Sequence, residues 1–339
     1  MDGRRDSTVA PESGQRLRRL RTTAPMRRLV AEHHLRVDDL IAPLFCREGI
    51  DAPVPVPSLP GVAQLDLDSL EAEVAELVDL GVPAVMLFGV PLVKDPIGSG
   101  ASDADGIVQR ALGRLRRRFD DEIVLIADLC LDEYTDHGHC GVLTGDGRVD
   151  NDATLVRYGE VAVAQASAGA HVVAPSGMMD HQVAAIRGAL DAAGFVDVSI
   201  LAYSAKYASA LYGPFRDAVD VSIADGGDRA TYQQDVRNAR ESVAEVLLDV
   251  AEGADMVMVK PAGPNLDIVA AARQVTRVPI AAYQVSGEYA MVKAADENGW
   301  IDGGAVAMEQ LVCIKRAGAD MIVTYFAKDA ATRLKGERR

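Results

Sequence analysis

The sequence predicts a (β/α)8 barrel preceded by an extended N-terminal arm. From Ile41 onward, eight short apolar runs alternate with helical patterns such as LEAEVAELVDLG and HQVAAIRGALDAAG. Their β-branched or continuous apolar character is typical of strands that are buried on both faces of a parallel sheet. The predicted strands are residues 41–45, 84–89, 123–129, 171–174, 199–203, 256–259, 280–285 and 321–325.

A recurring phrase indicates that one βα unit is used many times. LGVPAVMLFG, AGAHVVAPSG, EGADMVMVKP and AGADMIVTYF each carry a glycine at the end of a helical pattern and then enter an apolar run. Glycine is expected there because the helix ends in the left-handed conformation before the turn into the strand. Eight strands with helical connections favour a closed barrel. A doubly wound open sheet is the alternative, although no G-x-G-x-x-G fingerprint follows the first strand.

The composition indicates which binding partners and which cellular compartment are expected for this protein. The 339 residues include 35 Lys and Arg against 50 Asp and Glu, for a formal net charge of −15. This balance argues against nucleic acid or an anionic membrane as a partner. The chain lacks an apolar run of the ~18 residues that a membrane span needs, and its Arg-rich start lacks the apolar core of a secretory signal. Four cysteines do not make a disulfide framework in so long a chain, so we expect a cytoplasmic protein.

Two parts are expected along the chain. Residues 1–37 are basic and hold little apolar material, which predicts an arm that embraces a neighbouring subunit. Disorder is the alternative for residues 1–15. Residues 38–339 are expected to form the catalytic barrel.

Polar side chains follow the predicted strands at the end where barrel enzymes carry their chemistry. They are Asp128, Ser176, Lys206, Lys260, Ser286 and Tyr325. The two lysines stand out because only seven of the 35 basic residues are lysines. A lysine amine is a nucleophile only when neutral, and its ordinary pKa is ~10.4. Apolar walls and a second ammonium both lower that pKa, and neighbouring strand ends supply both. We interpret the pair as imine-forming, with salt-bridged barrel lysines as the alternative.

The segment DLCLDEYTDHGHCG indicates a metal site. Cys130 and Asp132 are one residue apart, so they project from the same face of a strand or of its extension, and Cys140 follows after a loop. Two thiolates and a carboxylate suit Zn2+ and leave a fourth position open, as catalytic zinc requires. Buried free cysteines beside a polar loop are the alternative.

A third group of polar residues lies between Lys206 and the next helical pattern. It consists of Arg216, Arg229 and Gln233. A loop at this place would cover the site as a lid. An arginine guanidinium can bind a carboxylate through two hydrogen bonds, so we interpret these residues as a carboxylate site. Solvated loop charges are the alternative.

Long segments of the chain resemble the porphobilinogen synthase (5-aminolevulinate dehydratase) family. They are YSAKYASALYGPFRDA, VMVKPAGPNLDIV, YQVSGEYAM, YTDHGHCG, LFGVPLVKDPIGSGA and GADMIVTYFA. The resemblance runs from about Arg18 to about Leu334. It implies a lyase that condenses two 5-aminolevulinates into porphobilinogen through lysine Schiff bases, in tetrapyrrole biosynthesis. It also implies metal ions rather than an organic cofactor, and a homo-oligomer, commonly an octamer, in which the arm wraps a neighbour.

The resemblance also implies roles for single residues. Lys206 and Lys260 each form a Schiff base with the ketone of one substrate, and residues 128–140 form the catalytic metal loop. Asp128 and Ser176 lie near the reacting amines. One substrate carboxylate is held by Arg216, Arg229 and Gln233, and the other by Ser286 and Tyr325.

Three departures from the family pattern concern the metal and its surroundings. Zinc-dependent members carry three cysteines where this chain has Cys130, Asp132 and Cys140, and others have Ala, Asp and Asp without zinc, so this site is a hybrid. The family's usual segment APSDMMDGR reads APSGMMDHQ in this chain, so Gly177, His181 and Gln182 stand in place of the family's residues. Glu241 occupies the place of an acidic ligand for a regulatory Mg2+, in a loosely matching segment.

Two competing functions stay open from the sequence. A class I aldolase-like lyase would need only one imine-forming lysine. A metal-binding scaffold without activity would bind metal but give no product from 5-aminolevulinate.

Overall fold

The computed structural model describes residues 16–223 and 228–336. It divides the chain into two units, Met1–His34 and Leu35–Arg339. The described part of the first unit holds the 3-10 helix Leu17–Arg21 and helix α1 (Ala24–Leu29). The Thr23 hydroxyl accepts a hydrogen bond from the backbone N–H of Met26 at 3.2 Å and so caps α1. The predicted arm, residues 1–37, extends past this division.

The second unit is built from ten strands and ten α-helices in its described residues. The strands are β1 (Leu40–Arg47), β2 (Val54–Pro55), β3 (Ala63–Leu65), β4 (Ala84–Val90), β5 (Val124–Leu129), β6 (Val172–Pro175), β7 (Ser199–Lys206), β8 (Met256–Lys260), β9 (Ile280–Gln284) and β10 (Met321–Thr324). The helices are α2 (Leu67–Leu80), α3 (Ile107–Phe119), α4 (Asn151–Ala168), α5 (Gln182–Ala192), α6 (Gly213–Ala218), α7 (Arg240–Glu252), α8 (Leu266–Val275), α9 (Ser286–Glu297), α10 (Gly303–Ala317) and α11 (Ala327–Gly336).

Eight of these strands close into a parallel barrel, in the order β1, β4, β5, β6, β7, β8, β9 and β10. Strand β10 returns to β1 through the pairs Leu40↔Ile322 and Ile41↔Val323, which excludes the open sheet. Strands β2 and β3 form a small antiparallel ribbon beside β1. All eight predicted runs are barrel strands, so the predicted (β/α)8 fold is confirmed.

The glycines of the recurring phrase end α2, α4, α7 and α10, as predicted. Gly81 and Gly169, for example, have φ values of 76° and 107°. An L-residue with a side chain rarely adopts this left-handed conformation, which is why glycine is used at these positions.

Two apolar clusters pack on opposite faces of the barrel wall. Leu125 and Ala127 of β5 belong to the cluster that joins the sheet to the helices. Ile126 belongs to the cluster that fills the barrel. Alternate residues of a strand therefore face inward, and inward side chains at the C-terminal ends of the strands line the candidate site. No helix within the described ranges is both long and apolar enough to cross a membrane.

Candidate active site

Two buried lysines face each other at the C-terminal ends of neighbouring strands. Lys206 ends β7, Lys260 ends β8, and the two residues are register partners. They are 4% and 5% exposed. The structure thus brings together the two lysines that the sequence singled out.

A bulge in β7 is what turns Lys206 into the barrel. Ala202 pairs with Val257 and Ala205 with Val259, so β7 has two residues where β8 has one. Ala202 and Ala205 both face the helices. Strict alternation over these positions would put Lys206 on that outer face, whereas the extra residue returns it to the inner face.

Lys260 lies among aromatic rings. Its Nζ is 4.7 Å from the ring centroid of Tyr283, 5.1 Å from those of Tyr203 and Tyr212, and 5.2 Å from that of Phe215. Burial, followed by the charge of Lys206, lowers the pKa of Lys260 to about 7. A large fraction of this amine is therefore neutral near pH 7, as a nucleophile requires.

Lys206 has a different environment from its partner. Its Nζ donates a hydrogen bond to the backbone carbonyl of Ser176. Burial alone would lower the pKa of Lys206, but the negative charges of Cys140 and Asp132 outweigh it and raise that pKa. The expectation that both amines are shifted downward therefore holds for Lys260 and not for Lys206.

Asp128 and Ser176 lie beside the lysine pair. The Ser176 hydroxyl donates to Asp128 Oδ2 at 3.1 Å. Asp128 Oδ1 is buried without a hydrogen-bond partner in the described part of the chain. Burial raises the pKa of Asp128 to about 6, although the charges of Lys260 and Lys206 oppose this shift.

The predicted metal ligands form one buried group. Ligand atoms of Cys130, Asp132 and Cys140 lie within 4.8 Å of one another, and this is the one such group within residues 16–223 and 228–336. Strand β5 ends at Leu129, so Cys130 directly follows the strand, whereas Asp132 lies in the turn after it and not on the strand extension that the spacing predicted. The donor set is compatible with a metal ion.

The two thiols of this group differ in acidity. Burial raises the pKa of Cys130 well above its ordinary value. Burial also acts on Cys140, but a hydrogen bond from Cys130 and the charge of Arg229 lower the pKa of Cys140 to about 7.

Arg229 connects the metal loop to the predicted carboxylate clamp. Its Nη1 is 2.8 Å from Asp132 Oδ2, and its Nη2 donates to the Gly138 carbonyl at 2.8 Å. Although burial raises the pKa of Asp132, Arg229 and Lys206 outweigh it, and the net shift is downward. The neighbouring Glu133 is also buried, and burial followed by the charge of Asp132 raises its pKa.

The three predicted clamp residues line one cavity of about 300 Å³. They are Arg216, Arg229 and Gln233. Arg229 Nε and Gln233 Nε2 are buried, and neither has a hydrogen-bond partner among the described residues. Two such donors in one cavity favour an anionic or carbonyl-bearing ligand, because a buried donor without a partner is costly.

Ser286 and Tyr325 lie on the aromatic side of the site. The Ser286 hydroxyl accepts from the backbone N–H of Phe215 at 3.0 Å and donates to the Leu211 carbonyl at 3.2 Å. Tyr325 shares a hydrogen bond of 3.1 Å with Tyr283. Ser286 thus contacts Phe215, and Tyr325 contacts Tyr283. The rings of Phe215 and Tyr283 both lie beside Lys260.

Glu241 does not join the buried metal group. It lies in the first turn of α7, where Asn238 Nδ2 donates to its Oε2 at 3.1 Å. It lines a separate cavity of about 640 Å³ with Asp180 and Glu245.

The structure explains one family departure in physical terms. A Cβ at Gly177 would overlap the hydroxyl of Tyr158. That hydroxyl donates to the Cys140 carbonyl at 2.7 Å and lies 4.0 Å from Cys130 Sγ. Gly177 therefore makes room for a tyrosine that contacts both cysteines of the metal loop.

The other two departures have local partners. His181 Nδ1 lies 2.9 Å from Glu252 Oε1. Gln182 Oε1 accepts from the backbone N–H of Met179 at 3.2 Å.

The sequence did not single out several residues that contact the candidate site. Tyr203 lies between the lysines, with its ring 5.7 Å from Lys206 Nζ and 5.1 Å from Lys260 Nζ. Its inward direction could have been found from the alternation along β7. No local sequence pattern places Tyr158 or Glu133 beside the site, because their positions there depend on contacts between segments that are distant in the chain.

The fold and the site define a (β/α)8-barrel enzyme. A family model described as delta-aminolevulinic acid dehydratase matches residues 14–333. The chain therefore belongs to the delta-aminolevulinic acid dehydratase family, and the resemblance found in the sequence is confirmed.

Relatives and a solved structure agree with this membership. The chain is 59% identical over 331 residues to the delta-aminolevulinic acid dehydratase of Streptomyces coelicolor, covering 97% of this chain and 100% of that one. It is 59% identical over 319 residues to that of Mycobacterium tuberculosis, covering 94% and 96%. A crystal structure of the Toxoplasma gondii enzyme in complex with its reaction product porphobilinogen matches with a TM-score of 0.93 and 43% identity, covering 96% of this chain and 94% of that chain.

The pKa of Lys260 predicts how imine formation depends on pH. With 5-aminolevulinate and cyanoborohydride, the rate of labelling at Lys260 should rise about tenfold per pH unit below its pKa and level off above about 7. Lys206 should be labelled later, because its pKa is raised. Peptide mass mapping over a pH series measures both rates. Labelling of Lys260 that does not change with pH would contradict this prediction.

Proposed function

We propose that this enzyme condenses two molecules of 5-aminolevulinate into porphobilinogen, with loss of two waters, in tetrapyrrole (heme) biosynthesis. The observation that carries the proposal is the buried, register-paired Lys206 and Lys260. Family membership supports the reaction, and so does the likeness to a structure that holds porphobilinogen. An aldolase-like lyase would leave the second buried lysine without a role.

In the proposed mechanism, each lysine forms an imine with the ketone of one substrate. The neutral amine of Lys260 attacks its ketone, and one water leaves as the C=N bond forms. Lys206 must first lose a proton, and Asp128 is the proposed base. Ser176 lies between the two groups: its backbone carbonyl accepts from the Lys206 ammonium and its hydroxyl donates to Asp128. Two imines at adjacent strand ends hold the substrates as reaction partners, which replaces a bimolecular encounter by an intramolecular step.

The rest of the reaction restores both lysines. A carbon–carbon bond and a carbon–nitrogen bond form between the substrates, and each lysine is released as its imine is exchanged or eliminated. The net loss is two waters, one for each new bond. Rings around Lys260 exclude water from its imine, which limits hydrolysis before the second substrate reacts.

The two substrate carboxylates are assigned to opposite sides of the site. Arg216, Arg229 and Gln233 would hold the carboxylate nearer Lys206, because all three line one cavity and two of them, Arg229 and Gln233, carry buried donors without a partner among the described residues. Ser286 and Tyr325 would hold the other, beside the rings that surround Lys260.

Replacing Lys260 tests this function directly. Lys260→Arg keeps the positive charge but cannot form an imine, because arginine does not lose its proton. A colorimetric pyrrole assay with 5-aminolevulinate should give product with the wild type and none with this variant. Lys293→Arg is the matched control, since Lys293 pairs with Asp329 at 3.3 Å on the surface. No pyrrole from the wild-type protein, with metal bound, would favour an inactive metal-binding scaffold.

We propose that Cys130, Asp132 and Cys140 hold one Zn2+ per active site. Two thiolates favour zinc over Mg2+, which prefers all-oxygen octahedral sites. A zinc ion held by these residues would supply a Lewis acid beside the reacting amines. Glu241 is proposed as a ligand of a regulatory Mg2+, with the neighbouring acidic cavity as its support.

Metal analysis of cysteine variants tests the zinc proposal. Cys130→Ala should lose zinc, measured per chain by mass spectrometry, and should lose activity with it. Cys313→Ala is the matched control, because Cys313 is a half-buried free thiol outside the metal group. Chelation should abolish activity and added zinc should restore it. Full activity in metal-free protein would refute a catalytic zinc, and restoration by Mg2+ alone would shift the metal role to Glu241.

We propose that the protein is a cytoplasmic homo-oligomer, with the family's octamer as the expected form. Leu17 and Leu29 of the first unit are 64% and 79% exposed, and an unpartnered apolar side chain is suited to a subunit contact. The cytoplasm suits its four free thiols.

Truncation of the arm tests the assembly. Deleting residues 1–30 should lower the number of subunits, calculated from the mass measured by light scattering, because it removes the 3-10 helix Leu17–Arg21 and α1. Deleting residues 1–15 alone is the control and should leave the number of subunits unchanged. An unchanged number of subunits in the longer deletion would refute the proposed role of the arm.

A further inference from the structure

A glutamine side chain donates a hydrogen bond to a backbone carbonyl of the bulge in β7. Ser204 is one of the two residues between the paired positions Ala202 and Ala205. Its carbonyl accepts a hydrogen bond from Gln234 Nε2 at 3.3 Å. Ser204 and Gln234 are 1% and 3% exposed, so water does not compete for this contact.

A chain of buried hydroxyls holds the Gln234 amide in place. Ser242 Oγ donates to Gln234 Oε1 at 2.6 Å, and the Tyr207 hydroxyl lies 2.5 Å from Ser242 Oγ. Both ends of the amide are thus satisfied, and its orientation is fixed. Ser242 belongs to α7 and Tyr207 directly follows Lys206, so the network joins a helix to the end of β7.

The backbone around Gln234 extends the sheet beyond the end of β7. Gln234 N–H donates to the Lys206 carbonyl at 3.0 Å, and Ala208 N–H donates to the Gln234 carbonyl at 2.9 Å. Tyr207 N–H donates to the Lys260 carbonyl at 2.9 Å. The segment 228–239, named here the clamp segment, is therefore bonded to the strand whose last residue is Lys206.

The same segment carries two of the proposed carboxylate ligands. Gln233 precedes Gln234, and its buried Nε2 has no partner among the described residues. Arg229 lies one turn earlier, where Gln233 N–H donates to its carbonyl at 2.8 Å. A carboxylate held by these residues would thus be connected through one residue to the bulge that directs Lys206.

We propose that Gln234 is a positioning residue that couples carboxylate binding by the clamp segment to the placement of Lys206. Occupation of the clamp by a substrate carboxylate favours the arrangement in which the bulge is formed and Lys206 faces the barrel. Gln234 thereby makes imine formation at Lys206 selective for ketones that carry a carboxylate. This inference rests on the proposed function, because it concerns the same substrate and the same lysine.

Two amino ketones that differ only in the carboxylate provide the test. Protein is treated with cyanoborohydride and either 5-aminolevulinate or 1-amino-2-pentanone, and labelling of each lysine is followed by peptide mass mapping. In the wild type, 5-aminolevulinate should label Lys206 much faster. In Gln234→Met, that preference should fall about tenfold, within the ordinary range of coupling between sites. The preference at Lys260 should stay unchanged, which a general loss of structure would not produce.

Two further variants make the result specific. Ser242→Ala removes only the hydroxyl that orients the amide and should lower the preference at Lys206 in the same direction. Val236→Ala changes a residue of the clamp segment that is 68% exposed, and it should leave the preference unaltered. An unchanged preference at Lys206 in both Gln234→Met and Ser242→Ala would overturn the coupling. Failure of wild-type protein to be labelled at either lysine would instead overturn the proposed function.

Discussion

The register between β7 and β8 is the constraint on which the site depends. Lys206 and Lys260 can both face the barrel interior only because β7 contains one extra residue before its last two pairs with β8. Two buried ammonium groups in register repel each other strongly where water is excluded. The surrounding structure answers this repulsion differently for each lysine, so that the two amines become chemically distinct although their backbone positions are equivalent.

The site is thereby divided into an aromatic half and a charged half. Rings surround Lys260 and favour its neutral form, which suits a first nucleophile. Lys206 lies near Cys140 and Asp132, whose negative charges favour its ammonium. Two like groups with pKa values pushed apart by their environments can act at different stages of one reaction. A single imine-forming lysine would need no such division.

The sequence predicted the barrel well, because its signals are local. Buried parallel strands are short apolar runs, and Gly81 or Gly169 marks a helix end by a conformation that other residues avoid. The sequence also singled out Lys206 and Lys260, which the structure pairs in register, and Cys130, Asp132 and Cys140, which it brings together. The bulge was not predicted, since alternation through Tyr203 and Ser204 directs Lys206 to the wrong face. Nor could sequence pair Gly177 with Tyr158, because that fit depends on two segments meeting in space.

Arg229 shows why the charged half should be considered as a unit. It contacts Asp132, a candidate metal ligand, and it also lines the cavity proposed for a substrate carboxylate. An aspartate can be held by such an arginine through one oxygen while the other remains free for a metal, whereas a cysteine offers a single sulfur. Arg229 thus joins the candidate metal group to the cavity proposed for a carboxylate, and Asp132 also raises the pKa of the nearby Lys206. A change in any of these groups alters the charge that the other two experience, and this half of the site is expected to respond as a whole.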